Sequence, residues 1–221
     1  MLVHLGMTGK FFFIDKKNIK YKTSFYYTIN QKKDQKHDRV IFFFKNNQRL
    51  IYNDVRKFGF IKLYNRSEYN KSLHLKKLGP EPLEKNFNFR YFKEYIFKRN
   101  RSIKNILMDQ NCIAGLGNIY VNEILFFSEV NPEKQVNKLS NRQVAKIVSN
   151  TKKILIRSIQ LGGSSIRDFN SALGNKGTFQ QNFMVYDRYN KFCKKKKCQG
   201  KVKKIYINNR STFFCEKCQN N

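Results

Sequence analysis

Four cysteines near the C-terminus carry the most specific chemistry in the chain: Cys193 and Cys198, then Cys215 and Cys218, spaced C-x4-C, sixteen residues, C-x2-C. Thiolates in that grouping bring four sulfurs to one tetrahedral zinc. Two disulfides would use the same cysteines, but a basic chain that opens with no signal peptide is expected inside the cell, where disulfides are rare. One structural Zn2+ is the expectation. Between the pairs, "KVKKIYI", "NNR" and "STFF" read as a hairpin turning at Asn208-Asn209, so the metal would stiffen a ribbon and hold Arg210 at its tip. There one cation can meet a phosphate; a solvated turn residue is the plainer reading of the same position. Cys112, the fifth cysteine, reads as a small buried hydrophobe.

A second signal is "CIAGLGNIYVNEILF". Gly115 and Gly117 precede Asn118 at the start of a helix, where backbone N–H groups and the Asn amide can approach a phosphate oxygen at the positive helix end. The same glycines would also serve simply to end one helix and begin the next.

The 221 residues carry 45 Lys and Arg against 15 Asp and Glu, a formal net charge of +30. Codon drift towards A and T enriches Lys, Asn, Ile, Phe and Tyr, yet drift towards Asn and Ile adds no charge, and acidic residues are sparse throughout. Nucleic acid is the expected partner. A polybasic membrane surface fits less well, because no apolar run approaches the ~20 residues of a span.

Elements that could position these groups follow from periodicity. Through about residue 64 the runs "YKTSFYYTI", "DRVIFFFK", "QRLIYNDV" and "FGFIKLY" predict a sheet, with Asn46-Asn47 at a hairpin turn. Leu2, Val3, Leu5, Met7, Phe11 and Phe13 read as sheet from the first residue on. After "LGPEPL" the period becomes helical. Tyr91, Phe92, Tyr95 and Ile96 mark one helix, Ile103, Ile106 and Leu107 a short second, and Ile119, Ile124 and Leu125 a third. In the fourth, Ser140 and Gln143 form a capping box, Val144, Ile147, Val148, Ile154 and Leu155 a stripe, and Gly162-Gly163 the stop.

Taken in order, "HLGMTGKF", "KHDRV", "NDVRKFG", "LGPEPL", "IKNILMDQNCIAGLGNIYVNEILF", "NPEKQVNKLS", "GGSSIRDF", "GTFQQNFMVYDR" and the terminal "RSTFFCEKCQ" resemble the bacterial formamidopyrimidine-DNA glycosylase family over nearly the whole chain. The resemblance implies an α+β architecture: a β-sandwich domain (1–64), a linker (65–84), a helical domain with a helix-two-turn-helix (85–182) and a zinc finger (183–221). It implies base-excision repair of double-stranded DNA: removal of oxidised purines such as 8-oxoguanine and formamidopyrimidines, then cleavage at the abasic site by β/δ-elimination through an N-terminal proline Schiff base. A monomer at the bacterial nucleoid, or in an organelle of bacterial origin, is the setting it implies.

Residue by residue, the resemblance makes Met7, Arg56 and Phe58 the side chains that fill the space left by a flipped base. His37, Arg56 and Arg99 match DNA contacts around the lesion, although Met7 and Phe58 would also suit ordinary sheet core. Lys104 and Asn118 match phosphate contacts, and Arg210 a phosphate grip that assists strand scission. Gly177, Thr178, Phe179 and Gln180 match the loop over the flipped base. Val55, Lys57, Thr178 and Asp187 depart from the family's Pro, Arg, Tyr and Gly, and the first cysteine pair is spaced more widely than usual.

In the family the catalytic proline, the adjacent glutamate and a further lysine all lie upstream of the "HLGM" segment. The expectation is therefore an N-terminally incomplete sandwich, inactive alone, with catalysis dependent on residues before Met1 or on a separate N-terminal fragment. Two other readings stay open: a non-catalytic, zinc-dependent remnant that binds damaged DNA, and an unrelated zinc-ribbon protein that binds RNA. The last leaves "HLGM", "VRKFG" and "GLGN" unexplained.

Overall fold

A computed structural model describes residues 1–14, 20–23, 35–65, 67–68, 72–164 and 177–220. The chain forms two compact units, Met1–Ser72 with Leu161–Gln180, and Leu73–Gln160 with Gln181–Asn221.

In the first unit, β1 (Leu2–His4) pairs antiparallel with β6 (Phe60–Lys62). β2 (Lys10–Ile14), β3 (Lys20–Thr23), β4 (Asp38–Phe43) and β5 (Arg49–Asn53) make a second antiparallel sheet in the order β3-β2-β5-β4. Leu2, Val3, Phe11 and Phe13 are therefore strand, as their pattern predicts, whereas Leu5 and Met7 fall in the turn between β1 and β2. Residues 24–29 of the predicted "YKTSFYYTI" strand lie outside the described residues. The β4–β5 hairpin turns at Asn46 and Asn47, whose φ angles are 67° and 60°. Asn tolerates this left-handed backbone, and its twist matches that of the strands. Tyr52, Asn53 and Asp54 end β5 in the interior.

The second unit holds α1 (Leu73–Lys76), α2 (Phe89–Ile96), α3 (Ile103–Leu107), α4 (Asn118–Phe127), α5 (Asn141–Gln160) and a hairpin of β7 (Val202–Ile207) with β8 (Arg210–Cys215). Asn88 caps α2 by accepting from Tyr91 N. The predicted box closes at α5: Gln143 N donates to Ser140 Oγ at 3.3 Å and Ser140 N to Gln143 Oε1 at 3.1 Å. Gly162 and Gly163, at φ 71° and 80°, end that helix. Phe87, Phe92, Ile103, Ile106, Ile124 and Ile147 are fully buried. α4 is buried continuously from Val121 to Phe126, which makes it the central element. Among the described residues no helix is long and apolar enough to cross a membrane.

The two units divide the chain differently from the sequence pattern. "LGPEPL", expected in a linker, is fastened to the helices: Gly79 N donates to Gln110 O at 2.9 Å and Ala114 N to Pro80 O at 3.1 Å. A Cβ at Gly79 would stand 2.4 Å from Cys112 O, so the backbones touch there. Residues 161–180, expected with the helices, group with the sheets, and the cysteine-bearing ribbon groups with the helices. Buried polar anchors account for the ribbon. Asn122 Oδ1 accepts Phe213 N at 2.8 Å, while Glu123 accepts Met184 N, Val185 N and Tyr186 N at 2.8 to 3.0 Å.

Candidate nucleic-acid interface and metal centre

Two tight turns in the sheet unit bring Met7, Arg56 and Phe58 together. Residues 5–9 close on a bond from Gly9 N to Leu5 O of 2.8 Å, with Gly6 at φ 61°, and Met7 stands out 55% exposed. The facing turn, 54–59, is organised by Asp54, a carboxylate only 1% exposed. Its Oδ1 accepts the Thr8 hydroxyl and Arg56 N; its Oδ2 accepts Gly59 N at 2.9 Å and the Tyr52 hydroxyl at 3.2 Å. Burial works to raise the Asp54 pKa, but these four bonds outweigh it and hold the carboxyl below its ordinary value. Burial, with Asp54 beside it, pushes Tyr52 up to about 12. A Cβ at Gly59 would lie 1.8 Å from the Tyr52 hydroxyl oxygen, so only glycine fits.

On this base the Arg56 guanidinium lies 4.5 Å from the Phe58 ring centroid and its Nη1 donates to Met7 Sδ at 3.2 Å. Phe58 is 58% exposed. Met7 and Phe58 are therefore surface side chains, and the plain reading of them as sheet core fails. His37 belongs to the same neighbourhood, because its carbonyl accepts Asp54 N at 3.0 Å. Arg39, overlooked in the sequence, donates from Nε to Asp54 O at 2.9 Å and lies 3.3 Å from His37 Nδ1 through Nη2.

In the helical unit, Lys104, Asn118 and Arg210 gather where α4 begins. Lys104 is 1% exposed; its Nζ donates to Thr212 Oγ1 at 2.6 Å and to Ser211 O at 3.2 Å. Asn118 Nδ2 donates to the same Ser211 carbonyl at 3.0 Å. Both acceptors of Lys104 are neutral, so burial, with Arg210 nearby, lowers its pKa to about 7. α4 starts at Gly117 without a side-chain cap, and a Cβ at Gly115 or Gly117 would meet nothing within 4 Å. Open space, uncapped N–H groups and two cations make a seat for an anion. Arg210 follows a turn at Asn208 and Asn209, with φ 48° and 58°, as the pattern predicts. Arg99 sits just beyond the end of α2, its guanidinium 4.0 Å from the Tyr95 ring centroid and bonded to Tyr95 O.

Gly177 and Thr178 meet the segment 161–163 that follows α5, within the sheet unit. Thr178 N donates to Leu161 O at 3.0 Å, Phe179 N to Gly163 O at 3.1 Å, and Gln180 Nε2 to Gly177 O at 2.6 Å. A Cβ at Gly177 would come within 2.3 Å of Gly163 O, which fixes glycine at that crossing. The predicted loop is thus described from residue 177 on; 165–176, including most of "SSIRDF", lie outside the described residues.

The four cysteine sulfurs lie within 4.8 Å of one another and are free of disulfides. Their close approaches are 3.4 Å (Cys198 to Cys218), 3.7 Å (Cys198 to Cys215) and 3.9 Å (Cys193 to Cys218). Zn–S bonds of about 2.3 Å in a tetrahedron place sulfurs ~3.8 Å apart, so the donor set fits zinc. Lys195 N, Gly200 N and Cys218 N donate to sulfurs at 3.4 to 3.5 Å, as thiolates require. Gln219, fully buried, ties the second pair to α4's end by accepting Cys215 N at 2.9 Å and donating to Val130 O at 2.8 Å. Cys112 stays apart, buried, with burial raising its thiol to about 12. Asp187 takes a φ of 55°; that backbone accounts for the Gly its family match leads one to expect there, and Asp is among the few other residues that adopt it.

Asn122, Glu123, Gln219 and Asp54 were given no role by the sequence reading. For Asn122 and Glu123 the usable signal was a polar pair inside an apolar helix, since such groups are buried only with partners.

Comparison with known proteins agrees with this geometry. The family model described as the formamidopyrimidine-DNA glycosylase N-terminal domain matches residues 1–61, and that of the formamidopyrimidine-DNA glycosylase H2TH domain residues 78–170. A formamidopyrimidine-DNA glycosylase of Bradyrhizobium sp. (strain ORS 278) is 38% identical over 225 residues, covering 99% of this chain and 76% of its own length. That of Oceanobacillus iheyensis is 38% identical over 223 residues, covering 100% of this chain and 73% of its own. A solved complex of Lactococcus lactis Fpg with abasic-site DNA superposes with a TM-score of 0.79 at 34% identity, over 99% of this chain and 74% of that one. MutM bound to DNA containing carbocyclic 8-oxo-G gives 0.79 at 34%, with the same coverage of each chain. The exposed Met7–Arg56–Phe58 cluster, the open start of α4 and the four-cysteine ribbon thus sit in a chain that belongs to the formamidopyrimidine-DNA glycosylase family.

Proposed function

We propose that this chain acts in the repair of damaged DNA as a glycosylase-family protein that holds a duplex open at an oxidised purine or an abasic site. The observation that carries the reading is the joining of Met7, Arg56 and Phe58 over the buried Asp54. A base taken out of the stack leaves a hole that apolar wedges can fill, while a guanidinium can bond the orphaned partner base. Lys104, Asn118 and Arg210 grip the backbone, with α4's N-terminus contributing its positive end. His37 and Arg99 add contacts around the lesion, and Gly177, Thr178, Phe179 and Gln180 form part of the cover over the flipped base. One zinc on Cys193, Cys198, Cys215 and Cys218 fixes the ribbon and so aims Arg210. The thioether, guanidinium and phenyl groups of the wedge open the duplex; none of them is a nucleophile for the sugar C1′.

The test is equilibrium binding of zinc-loaded residues 1–221 to matched duplexes with and without an abasic-site analogue. Preference for the abasic duplex, lost on Phe58→Ala and Arg56→Ala, is expected. Equal affinity for both duplexes, or tighter binding to RNA of the same length, overturns the reading.

A further inference from the structure

The basic run Lys194–Lys197 is used neither by the wedge nor by the anion seat, and its members have separate environments. Lys194 Nζ donates to the carbonyls of Phe183 at 2.9 Å and Gln181 at 3.2 Å, so it is a staple within the ribbon. Lys195 pairs with Glu129, which also accepts Lys146 of α5 at 2.6 Å. The hydrogen bonds from these two lysines hold the Glu129 carboxyl down at about 2. Glu129 is therefore ionised at neutral pH, but its single charge is already shared between two lysines.

Two open clefts meet at Glu129. One, of about 500 Å³, is lined by Lys196, Lys197 and Lys217; the other, of about 550 Å³, by Lys134, Lys138 and Arg142. Among the described residues none of these six has an ion-pair partner within 4 Å. A charged run on a surface is commonly just solvated, but here cations from three separate segments converge around a single acid that is already neutralised. Their convergence calls for a polyanion, and a row of phosphates supplies one with no demand for apolar contact.

The first cleft lies by Cys198 and Cys218, at the opposite end of the β7–β8 ribbon from Arg210, and the second adjoins it through Glu129. A six-residue strand, β8, at ~3.3 Å per residue separates the two ends by roughly 17 Å. The tip and the cysteine end of the ribbon are therefore separate places at which phosphates can be met. We propose that these clefts are a second phosphodiester site, occupied by a duplex segment other than the one held by Lys104, Asn118 and Arg210, so that the protein passes between DNA segments without first dissociating. The proposal rests on the DNA-binding reading above.

The test follows dissociation of the full chain, with zinc, from a short labelled duplex as unlabelled undamaged duplex is added in rising concentration. For the unaltered chain the observed rate is expected to climb with challenger. Lys196→Gln with Lys197→Gln, or Lys134→Gln with Lys138→Gln, is expected to flatten that dependence about fivefold and leave short-duplex affinity within about twofold, as befits loss of a few phosphate contacts at a separate site. Lys196→Arg with Lys197→Arg is expected to restore the climb. A rate independent of challenger overturns the proposal, as does an unchanged slope in the Gln variants. A parallel loss of short-duplex affinity also overturns it, because the cations would then serve the same duplex. Undamaged labelled duplex reads the transfer by itself, so failure of abasic-site preference is distinguished from failure of the second site.

Discussion

Asp54 Oδ2 accepts Gly59 N at 2.9 Å, closing the turn that presents Arg56 and Phe58. One buried carboxylate thereby sets the shape of a surface that it does not itself reach. Asp54→Asn replaces one acceptor oxygen by an amide facing the donors Thr8, Tyr52, Arg56 N or Gly59 N. A loss of about 1–3 kcal/mol in stability is expected, read by urea unfolding, with a matching fall in abasic-duplex affinity. Because the folded Asp54 pKa is lowered, its contribution is complete above the unfolded value near 4 and is lost as pH falls through the folded value.

Lys104 gives the opposite sign. Its folded pKa is lowered to about 7, against about 10.4 unfolded. The unfolded chain then holds more protons between those values, so the free protein gains stability from this group as pH rises from about 7 towards 10. A phosphate beside it would restore the charge, and binding should take up a proton above pH 7. Calorimetric titration with duplex DNA in two buffers of different ionisation enthalpy measures that uptake. Lys104→Met is expected to abolish it, to weaken DNA binding, and to remove the rise of free-protein stability between about pH 7 and pH 10.

Glu129 has a pKa lowered to about 2. Stability from its two lysine contacts is present above the unfolded value near 4.3 and is lost as pH falls towards 2. Its side chain is 37% exposed, so solvent screening limits each pair to about 1 kcal/mol or less. Glu129→Gln should lower the midpoint of thermal unfolding slightly at pH 7 and much less at pH 2, where the carboxylate is half protonated. An equal effect at both pH values would rule the ion pairs out as the cause.

Removal of zinc by a chelator is expected to unfold residues 183–220 and release four titratable thiols, since metal binding and folding of such ribbons are one equilibrium. Glu123 and Lys104 would lose the partners they have on that segment. DNA affinity should fall with the released zinc. If affinity persisted after all four thiols had reacted, Arg210 would not be part of the grip.

Much of this molecule is written in short-range patterns. The α5 capping box, the paired-Asn hairpin turns and the cysteine spacing depend on residues within a few positions of one another, and each is found where its pattern lies. Long-range polar contacts were not legible. Asp54 is reached by Thr8 from 46 positions away, and Asn122 by Phe213 N from 91; nothing in local composition marks either as an anchor. How segments group into compact units depends on such contacts too. Pro80 looks like punctuation, yet its carbonyl is spent on Ala114.

The shared carbonyl of Ser211 has one further consequence, for which lengths of chain can change. It accepts from Lys104 and Asn118, the next side chain bonds Lys104, and the next backbone N–H bonds Asn122. Because strand groups alternate in direction, inserting or deleting one residue between Phe213 and the Asn208-Asn209 turn would point an N–H at the buried ammonium. The interval from turn to second cysteine pair is thus a ruler that admits no slip. The first knuckle closes on itself instead, Cys193 N donating to Gly200 O at 2.8 Å and Cys198 N to Lys195 O at 3.0 Å, so the four residues between Cys193 and Cys198 are spanned without reference to that ruler.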